Sequence, residues 1–369
     1  MSKRIFNFSA GPATLPLEAL KEAQADFLNF QNSGMSIMEM SHRSKVFESV
    51  LAQAKGNLIK LLNIPDTHEV LFIQGGASLQ FSMVPMNLKL ENKPASLINT
   101  GSWTKKALKE IQKETTCNVI GTSQDTNFMN LPTVDSELLN QDAAFTYICS
   151  NNTIYGTQYK QFPEPLNSPL IADMSSDILS RPLDISKFGL IFAGAQKNVG
   201  PSGVTIVIIK KSLLDRSAEQ LPSMLNYNSY ASSNSLYNTI PTFGIYMISL
   251  TTKWLLNEGG LDSINEKNSQ KATMLYDFID QSDFYYCPVK AQDRSSMNVV
   301  FRINGGEELE KLFVSESTKA GLDGLKGHRS VGGLRASIYN AHPKEGVEAL
   351  ISFMKEFENV HNKNLVAAS

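Results

Sequence analysis

Lys197 is the residue of this 369-residue chain whose surroundings most clearly indicate chemistry. It lies in GLIFAGAQKNVGPSGVTIVIIK (residues 189–210) and is the only charged residue between Lys187 and Lys210. Burying an ammonium group is unfavourable unless it is paired, so this lysine lies either at the rim of the fold or in a reactive site. A desolvated lysine has a lowered pKa, and its neutral amine can attack a carbonyl carbon to form a Schiff base.

Other polar residues follow predicted strands, at the positions where open α/β sheets bind ligands. QGGAS (74–78) begins a helix, so its backbone N–H groups could hold an anion, or it could be only a tight turn. Asp173 follows PLIA and could hold a protonated ring nitrogen or cap a turn. Trp103 could stack on an aromatic cofactor or pack in the core, and Thr153 could bind a cofactor oxygen or belong to a turn.

Two copies of the tripeptide HRS, at residues 42–44 and 328–330, and the nearby Arg335 indicate an anionic substrate. Arginine binds carboxylates and phosphates through paired hydrogen bonds, and a neighbouring histidine can add a donor. Each arginine could instead form an ordinary surface ion pair. The glycine-rich segment GLKGHRSVGG (324–333) is too polar for the core, which favours a functional role.

Strand-like runs that alternate with helical segments predict an α/β fold with a mainly parallel sheet. The apolar runs typical of buried strands are at residues 69–73, 96–99, 144–149, 170–172, 190–194 and 204–209. The segment 243–281 is predicted to be mainly helical, with a break at Gly259–Gly260.

The pattern changes near residue 297 and predicts a second, smaller α+β domain. Strands are expected near 297–303 and 334–339, with helices near 306–320 and 343–358. We therefore expect three parts: an N-terminal segment (1–15) associated with the small domain, a large domain (16–262) and the small domain (263–369).

Composition excludes several classes of protein. The hydrophobic content of 42% and the charged content of 19% are ordinary for a globular protein, and the net charge of −2 gives no basic surface for nucleic acid or membranes. No apolar run reaches the roughly 18 residues of a transmembrane helix, and the start of the chain lacks the apolar core of a signal peptide. Cys117, Cys149 and Cys287 are too scattered for a disulfide framework or a zinc site. We expect a cytoplasmic protein without a metal.

Residues 172–204 resemble the lysine region of the phosphoserine aminotransferases, a family of class-V pyridoxal-phosphate enzymes, and GHRSVGGLRASIYNA (327–341) resembles their substrate-binding segment. Shorter motifs also correspond, namely NFSAGPATLP (7–16), MSHRS (40–44), GGASLQF (75–81), NTGSW (99–103) and TIPTFGIY (239–246). The resemblance runs almost from end to end. It implies the aspartate-aminotransferase-like architecture, pyridoxal-phosphate fold type I, for the large domain.

The same resemblance implies a cofactor role for several residues. Lys197 would form the Schiff base with pyridoxal phosphate, and Asp173 would hold the ring N–H. Trp103 would stack on the ring, and Thr153 would bind its phenolic oxygen. The residues expected at the cofactor phosphate are Ala77, Ser78 and Gln196, together with Asn238 and Thr239 of the partner subunit.

Substrate residues are implied in the same way. Arg335 would bind the α-carboxylate, and His328 and Arg329 would bind the substrate phosphate together with His42 and Arg43 of the partner subunit. The expected protein is a homodimer with shared active sites and small-molecule substrates.

The activity implied is amino-group transfer between L-glutamate and 3-phosphohydroxypyruvate, giving 2-oxoglutarate and O-phospho-L-serine by a ping-pong route in serine biosynthesis. The phosphohydroxythreonine step of pyridoxine biosynthesis is a further expectation. Two alternatives stay open: a cysteine desulfurase or other lyase of the same fold, which needs a mobile nucleophilic cysteine, and a non-catalytic homologue.

Overall fold

The structure is a computed structural model that describes residues 4–217 and 220–366. Its strands are β1 (Phe6–Asn7), β2 (His68–Gln74), β3 (Ala95–Asn99), β4 (Cys117–Thr122), β5 (Thr146–Cys149), β6 (Asn151–Asn152), β7 (Thr157–Gln158), β8 (Leu170–Asp173), β9 (Leu190–Gly194), β10 (Val204–Lys210), β11 (Tyr285–Tyr286), β12 (Asn298–Ile303), β13 (Leu322–Asp323) and β14 (Leu334–Ser337). Its α-helices are α1 (Leu17–Asp26), α2 (Lys45–Leu62), α3 (Gln80–Leu88), α4 (Ser102–Glu114), α5 (Ser136–Leu139), α6 (Tyr227–Ser232), α7 (Thr242–Asn257), α8 (Gly260–Gln281), α9 (Glu307–Lys319) and α10 (Lys344–Val366).

A seven-stranded sheet in the order β2-β10-β9-β8-β5-β3-β4 forms the centre of the molecule. Strand β10 is antiparallel to both of its neighbours, whereas the pairs from β9 to β4 are parallel, which confirms the predicted mainly parallel sheet. Because β2 and β9 both run antiparallel to β10, β2 is oriented like the parallel strands. The carboxyl ends of β2, β3, β5, β8 and β9 therefore lie at one edge of the sheet, where ligands bind in such folds.

Helices cover both faces of this sheet, which explains why its strands are continuous apolar runs. Alternate residues of β2 point to opposite faces: Val70 and Phe72 join the core under α2 and α7, whereas Leu71 and Ile73 join the core under α3, α4 and α6. Side chains of β9 and β10 alternate in the same way. Both cores consist of apolar side chains, so a polar side chain at a strand end has to find its partners at the edge of the sheet.

The carboxyl-terminal part contains a three-stranded antiparallel sheet, β11-β12-β14, with α8, α9 and α10 packed around a separate core. Strand β1 pairs in parallel with β13, which connects the start of the chain to this part. Helix α8 begins at Gly260 and so crosses the predicted boundary at residue 262 within its first turn. The bounds of the two domains stay a prediction.

The predicted break between two helices at Gly259–Gly260 is confirmed. Helix α7 ends at Asn257, and Gly259 and Gly260 have φ angles of +96° and +75°, in the left-handed region that glycine adopts without strain. Helix α4 and strand β4 are elements that the apolar pattern does not indicate. Helix α4 is rich in lysine and glutamate, and β4 is a partly exposed strand at the edge of the sheet.

Within residues 4–217 and 220–366, no helix is long and apolar enough to cross a membrane. The same residues contain no group of histidine, cysteine, aspartate and glutamate side chains that could hold a metal ion.

Candidate active site

The turn that carries Lys197 follows directly after the buried strand β9. The amides of Val199 and Gly200 both donate to the carbonyl of Ala195, at 3.2 and 2.8 Å, so the chain turns back on itself within a few residues. From the other side, the amide of Ala13 donates to the carbonyl of Gln196 at 2.9 Å. The backbone on both sides of Lys197 is therefore held by hydrogen bonds. These bonds fix the position from which the lysine side chain extends.

The Lys197 amine lies among polar groups at the edge of the sheet. Its Nζ donates to Thr153 Oγ1 at 2.7 Å and lies 5.9 Å from the centroid of the Trp103 ring. Burial lowers the pKa of Lys197 to about 8, although the nearby Asp173 acts in the opposite direction. An appreciable fraction of the amine is therefore neutral, and nucleophilic, close to neutral pH.

Asp173 ends strand β8, beside the strand that leads to Lys197, and is only 6% exposed. Its Oδ1 accepts hydrogen bonds from the amide and the hydroxyl of Ser175, at 3.0 and 2.6 Å. Burial raises the pKa of Asp173, while the Ser175 hydrogen bonds and Lys197 counteract this effect. No residue that the structure describes donates to Oδ2, so this oxygen can accept a hydrogen bond from a ligand.

A cavity of about 300 Å³ brings most of the predicted site residues together, and its volume lies at the lower end of the range for small-molecule sites. The predicted residues that line it are Ala77, Ser78, Trp103, Thr153, Asp173, Gln196, Lys197, His328 and Arg335. They end or follow five strands of the large sheet, β2, β3, β5, β8 and β9, or come from the carboxyl-terminal part of the chain.

Several polar atoms around this cavity are buried and have no hydrogen-bond partner among the described residues. They are Trp103 Nε1, Gln196 Oε1 and Arg335 Nε. Another nitrogen of Arg335, Nη1, donates to the backbone carbonyl of Thr153 at 3.2 Å. Leaving a buried donor or acceptor unpaired costs about 1–3 kcal/mol, so this cluster is typical of a site that is completed by a polar ligand.

Comparison with known proteins identifies the family. Aminotransferase class V matches residues 5–350. The chain belongs to the class-V aminotransferase family.

Two solved structures and one curated relative illustrate how similar the chain is to other members. The phosphoserine aminotransferase of Geobacillus kaustophilus is 55% identical over 358 residues, which are 96% of this chain and 98% of the relative. The structure of the phosphoserine aminotransferase from Bacillus circulans subsp. alkalophilus has a TM-score of 0.95 and 52% identity, covering 98% of this chain and 100% of that one. The pyridoxal-phosphate-bound phosphoserine aminotransferase from Trichomonas vaginalis has a TM-score of 0.91 and 41% identity, covering 95% of this chain and 100% of that one.

Class-V aminotransferases depend on pyridoxal phosphate, and the residues of the cavity fit this cofactor. The cavity contains a nucleophilic amine on Lys197, an oxygen of Asp173 without a donor and an unpaired indole N–H on Trp103. Ala77 and Ser78 form a 3₁₀ turn between Gly76 and α3, and the first turn of a helix presents backbone N–H groups that bind phosphate. The chain is a pyridoxal-phosphate-dependent aminotransferase of fold type I.

Five predicted residues do not line this cavity. Arg329 follows His328 but lines a different cavity, of about 700 Å³. His42 and Arg43 precede α2, and the side chain of Asn238 donates to Gln74 at 2.8 Å instead of reaching the cavity. The fifth is Thr239, which follows Asn238 along the chain. Their roles stay predictions, four of them for a partner subunit.

The cavity also contains residues that sequence reasoning missed, among them Cys149, Asn151 and Ser175. Cys149 ends β5, and Asn151 and Ser175 lie two residues beyond the ends of β5 and β8; this position near strand ends is the signal that could have revealed them. The thiol of Cys149 is 4% exposed, and burial together with Asp173 raises its pKa well above the usual value. A protonated thiol held in a strand is not the mobile nucleophile that a cysteine desulfurase requires.

The lowered pKa of Lys197 predicts how the cofactor-free protein reacts with pyridoxal phosphate. The reaction needs the neutral amine, so its rate should rise with pH through a midpoint of about 8. Among the neighbouring groups, Asp173 raises the pKa of Lys197 most, so Asp173→Asn should move the midpoint to lower pH. The measurement is the appearance of the cofactor absorption band at a series of pH values.

Asp262→Asn, in the first turn of α8 and outside the cavity, is the matched control and should leave the midpoint unchanged. A midpoint near about 10.4, the value of an exposed lysine, would contradict the account. So would a shift to higher pH in the Asp173 variant.

Proposed function

We propose that this aminotransferase transfers the amino group between L-glutamate and 3-phosphohydroxypyruvate, forming 2-oxoglutarate and O-phospho-L-serine, as a step of serine biosynthesis. The 55% identity to a phosphoserine aminotransferase over nearly the full length of both chains supports this substrate pair. The structural observation that carries the proposal is that Arg335 and His328 line the same cavity as Lys197. Groups that bind anions thus lie beside the reactive amine.

The two anionic ends of the substrate would be bound by different groups. Arg335 would bind the α-carboxylate, because a guanidinium group bonds a carboxylate through two parallel N–H groups and Arg335 Nε has no partner among the described residues. His328 and Arg329 would bind the phosphate. Burial and the charges of Arg335 and Arg329 lower the pKa of His328, and a phosphate dianion would act in the opposite direction and favour its protonated, doubly donating form.

The chemical step would rest on Lys197, Thr153, Asp173 and Trp103. Bound pyridoxal phosphate supplies an electron sink for the negative charge that develops at the substrate Cα. The neutral amine of Lys197 would remove the substrate Cα proton and deliver it to C4′ of the cofactor, acting first as base and then as acid. Thr153 Oγ1, 2.7 Å from Nζ, orients this amine. Asp173 would hold a proton at the ring nitrogen through Oδ2, and Trp103 would exclude water from one face of the site.

Glutamate and phosphoserine would use the same cavity in turn, as ping-pong transfer requires. Both carry an α-carboxylate for Arg335, but only phosphoserine carries a phosphate dianion. The side-chain carboxylate of glutamate has a single charge, so its hydrogen bonds and charge interactions with His328 and Arg329 would be weaker than those of the phosphate. Phosphohydroxythreonine carries the same phosphate and α-amino acid groups, so its acceptance stays a prediction.

Arg329→Ala should therefore impair the half-reaction with phosphoserine more than the half-reaction with glutamate. We expect the ratio of the two kcat/KM values to change by about tenfold, since one charge-assisted hydrogen bond is worth about 1.5–3 kcal/mol. Single-turnover measurements of the cofactor band with each amino acid give both values. Arg294→Ala is the matched control, because Arg294 pairs with Asp280 at 2.6 Å, and should leave the ratio unchanged.

Equal losses in the two half-reactions of the Arg329 variant would contradict this division of roles. A wild-type protein that accepts an amino group from glutamate but not from phosphoserine would overturn the proposed substrate.

The proposal includes a homodimer whose two subunits share each active site. His42 and Arg43 lie within a segment rich in exposed apolar side chains, including Leu28, which is 81% exposed, and Met38, which is 48% exposed. An apolar groove of about 550 Å³, lined by Phe27 and other apolar residues, continues this surface. Exposed apolar surface of this kind is typical of an interface. His42 Nε2 is moreover buried without a partner among the described residues.

Mixing one inactive variant with one impaired variant tests the shared site directly. Lys197→Ala lacks the reactive amine. Arg43→Ala lacks a guanidinium group that would bind the substrate phosphate in the active site of the other subunit. In a mixed dimer, one site combines an intact Lys197 with an intact Arg43, so subunit exchange should restore about a quarter of the wild-type activity. Activity that stays at the average of the two parent variants would show that each site is built from one chain.

A further inference from the structure

Three asparagine side chains from distant parts of the chain hold three consecutive backbone carbonyls of the loop that follows Asp173. These carbonyls belong to residues 178–180. Asn198 Nδ2 donates to the first of them at 3.1 Å, Asn340 Nδ2 to the second at 2.8 Å and Asn268 Nδ2 to the third at 3.2 Å. We call Asn198, Asn268 and Asn340 the asparagine clamp.

The members of the asparagine clamp are also bonded to one another. The backbone amide of Asn340 donates to Asn198 Oδ1 at 3.0 Å, and Asn268 Nδ2 donates to Asn340 Oδ1 at 2.8 Å. All three side chains are more than nine-tenths buried. Hydrogen bonds are stronger in such surroundings than in water, so the network stabilises this arrangement of its parts. The clamp is therefore a buried junction between distant segments of the chain.

Three of the four segments that meet at this junction are close in sequence to a residue of the active site, and the fourth is helix α8. Asn198 is the next residue after Lys197, and the clamped loop begins directly after Asp173. Asn340 follows strand β14, which carries Arg335. None of the three asparagines lines the cavity that contains these side chains. Any effect of these asparagines on the site is therefore transmitted through the backbone.

Helix α8 supports the clamp at a second point. Lys271 lies one turn after Asn268, and its ammonium group donates to the carbonyls of Ile338, Tyr339 and His342 at 3.1, 2.7 and 2.9 Å. Each of the three protons of this group thus has its own acceptor. Lys271 and Asn268 together fix the segment 338–342, which contains the third member of the clamp, to the helix.

The clamped loop has a conformation that needs such support. Leu179 has a φ angle of +60°, in the left-handed region that is unfavourable for residues other than glycine. The carbonyl of this residue is the one held by Asn340. The clamp therefore holds an unfavourable backbone conformation in the loop that follows Asp173.

We propose that the asparagine clamp is a positioning device that fixes the Asp173 carboxyl group relative to the Lys197 amine and aligns both with Arg335. The effect of a carboxyl group on an amine depends on the distance between them, so a small displacement changes how readily the amine loses its proton. The groups that face Lys197 are Asp173, Cys149, Arg335 and Asp177. The inference rests on the proposed function, since it assumes that Asp173 and Lys197 together bind the cofactor.

Asn268→Leu and Asn340→Leu test this inference, because each removes a donor to the loop with little change in volume. We expect amide hydrogen exchange at residues 174–181 of the cofactor-free protein to become about tenfold faster or more. We also expect the pH titration of the absorption band of bound pyridoxal phosphate to shift by about half a unit or more.

Asn87→Leu is the matched control. Asn87 is fully buried and donates to two backbone carbonyls, of Met83 and Leu225, at 2.8 and 2.7 Å, but it lies outside the clamp. We expect this variant to have a lower Tm. The amide exchange rates at residues 174–181 and the pH titration of the cofactor band should be unchanged. If a clamp variant does not fold, Lys271→Met is expected to produce the same two changes on a smaller scale.

Clamp variants that lose thermal stability as Asn87→Leu does, with unchanged exchange and an unchanged titration, would overturn the inference. The conversion of phosphoserine by the wild-type protein tests the proposed function separately. The exchange experiment uses cofactor-free protein, and the titration reports only on bound pyridoxal phosphate, so both remain informative if a different amino acid proves to be the substrate.

Discussion

The unfavourable removal of the Lys197 ammonium group from water is the constraint on which the site depends. The parallel arrangement of β8 and β9 places Asp173 beside the turn that carries this lysine, so the amine has a nearby carboxyl group and a hydroxyl acceptor on Thr153. These partners do not fully compensate for burial, and the pKa of Lys197 falls to about 8. The result is an amine that is neutral often enough to react and charged often enough to return a proton.

Burial alone does not make a lysine reactive, as Lys271 shows. Burial lowers the pKa of Lys271 to about 7, further than that of Lys197. Its three protons are nevertheless all taken up by backbone carbonyls, so it holds two segments together. Within the described parts of the chain, Lys197 donates to one hydroxyl group and borders a cavity with unpaired polar atoms. Spare hydrogen-bonding capacity at a cavity distinguishes the two lysines.

The sequence predicted the features that depend on local pattern. Apolar runs located β8 and β9, and a parallel sheet then required Asp173 and Lys197 to lie at the same edge. The asparagine clamp was out of reach, because its members are uncharged, common in turns and about seventy positions apart, so no spacing links them. Cys149 was missed as a lining residue for a different reason. Cys149 ends an apolar run, and although the end of a strand is the position that could have revealed it, an apolar pattern alone does not distinguish a cavity-lining side chain from a core one.

Reduction of the cofactor-loaded protein with borohydride, followed by peptide mapping, tests whether Lys197 is the amine that binds pyridoxal phosphate. Borohydride fixes pyridoxal phosphate to the amine that holds it. Lys160 and Lys271 are the competing lysines, because burial lowers their pKa values to about 8 and about 7. We expect one modified peptide, containing Lys197, and none in Lys197→Ala. Modification of Lys160 or Lys271 in the active wild-type protein, with Lys197 left free, would contradict this expectation.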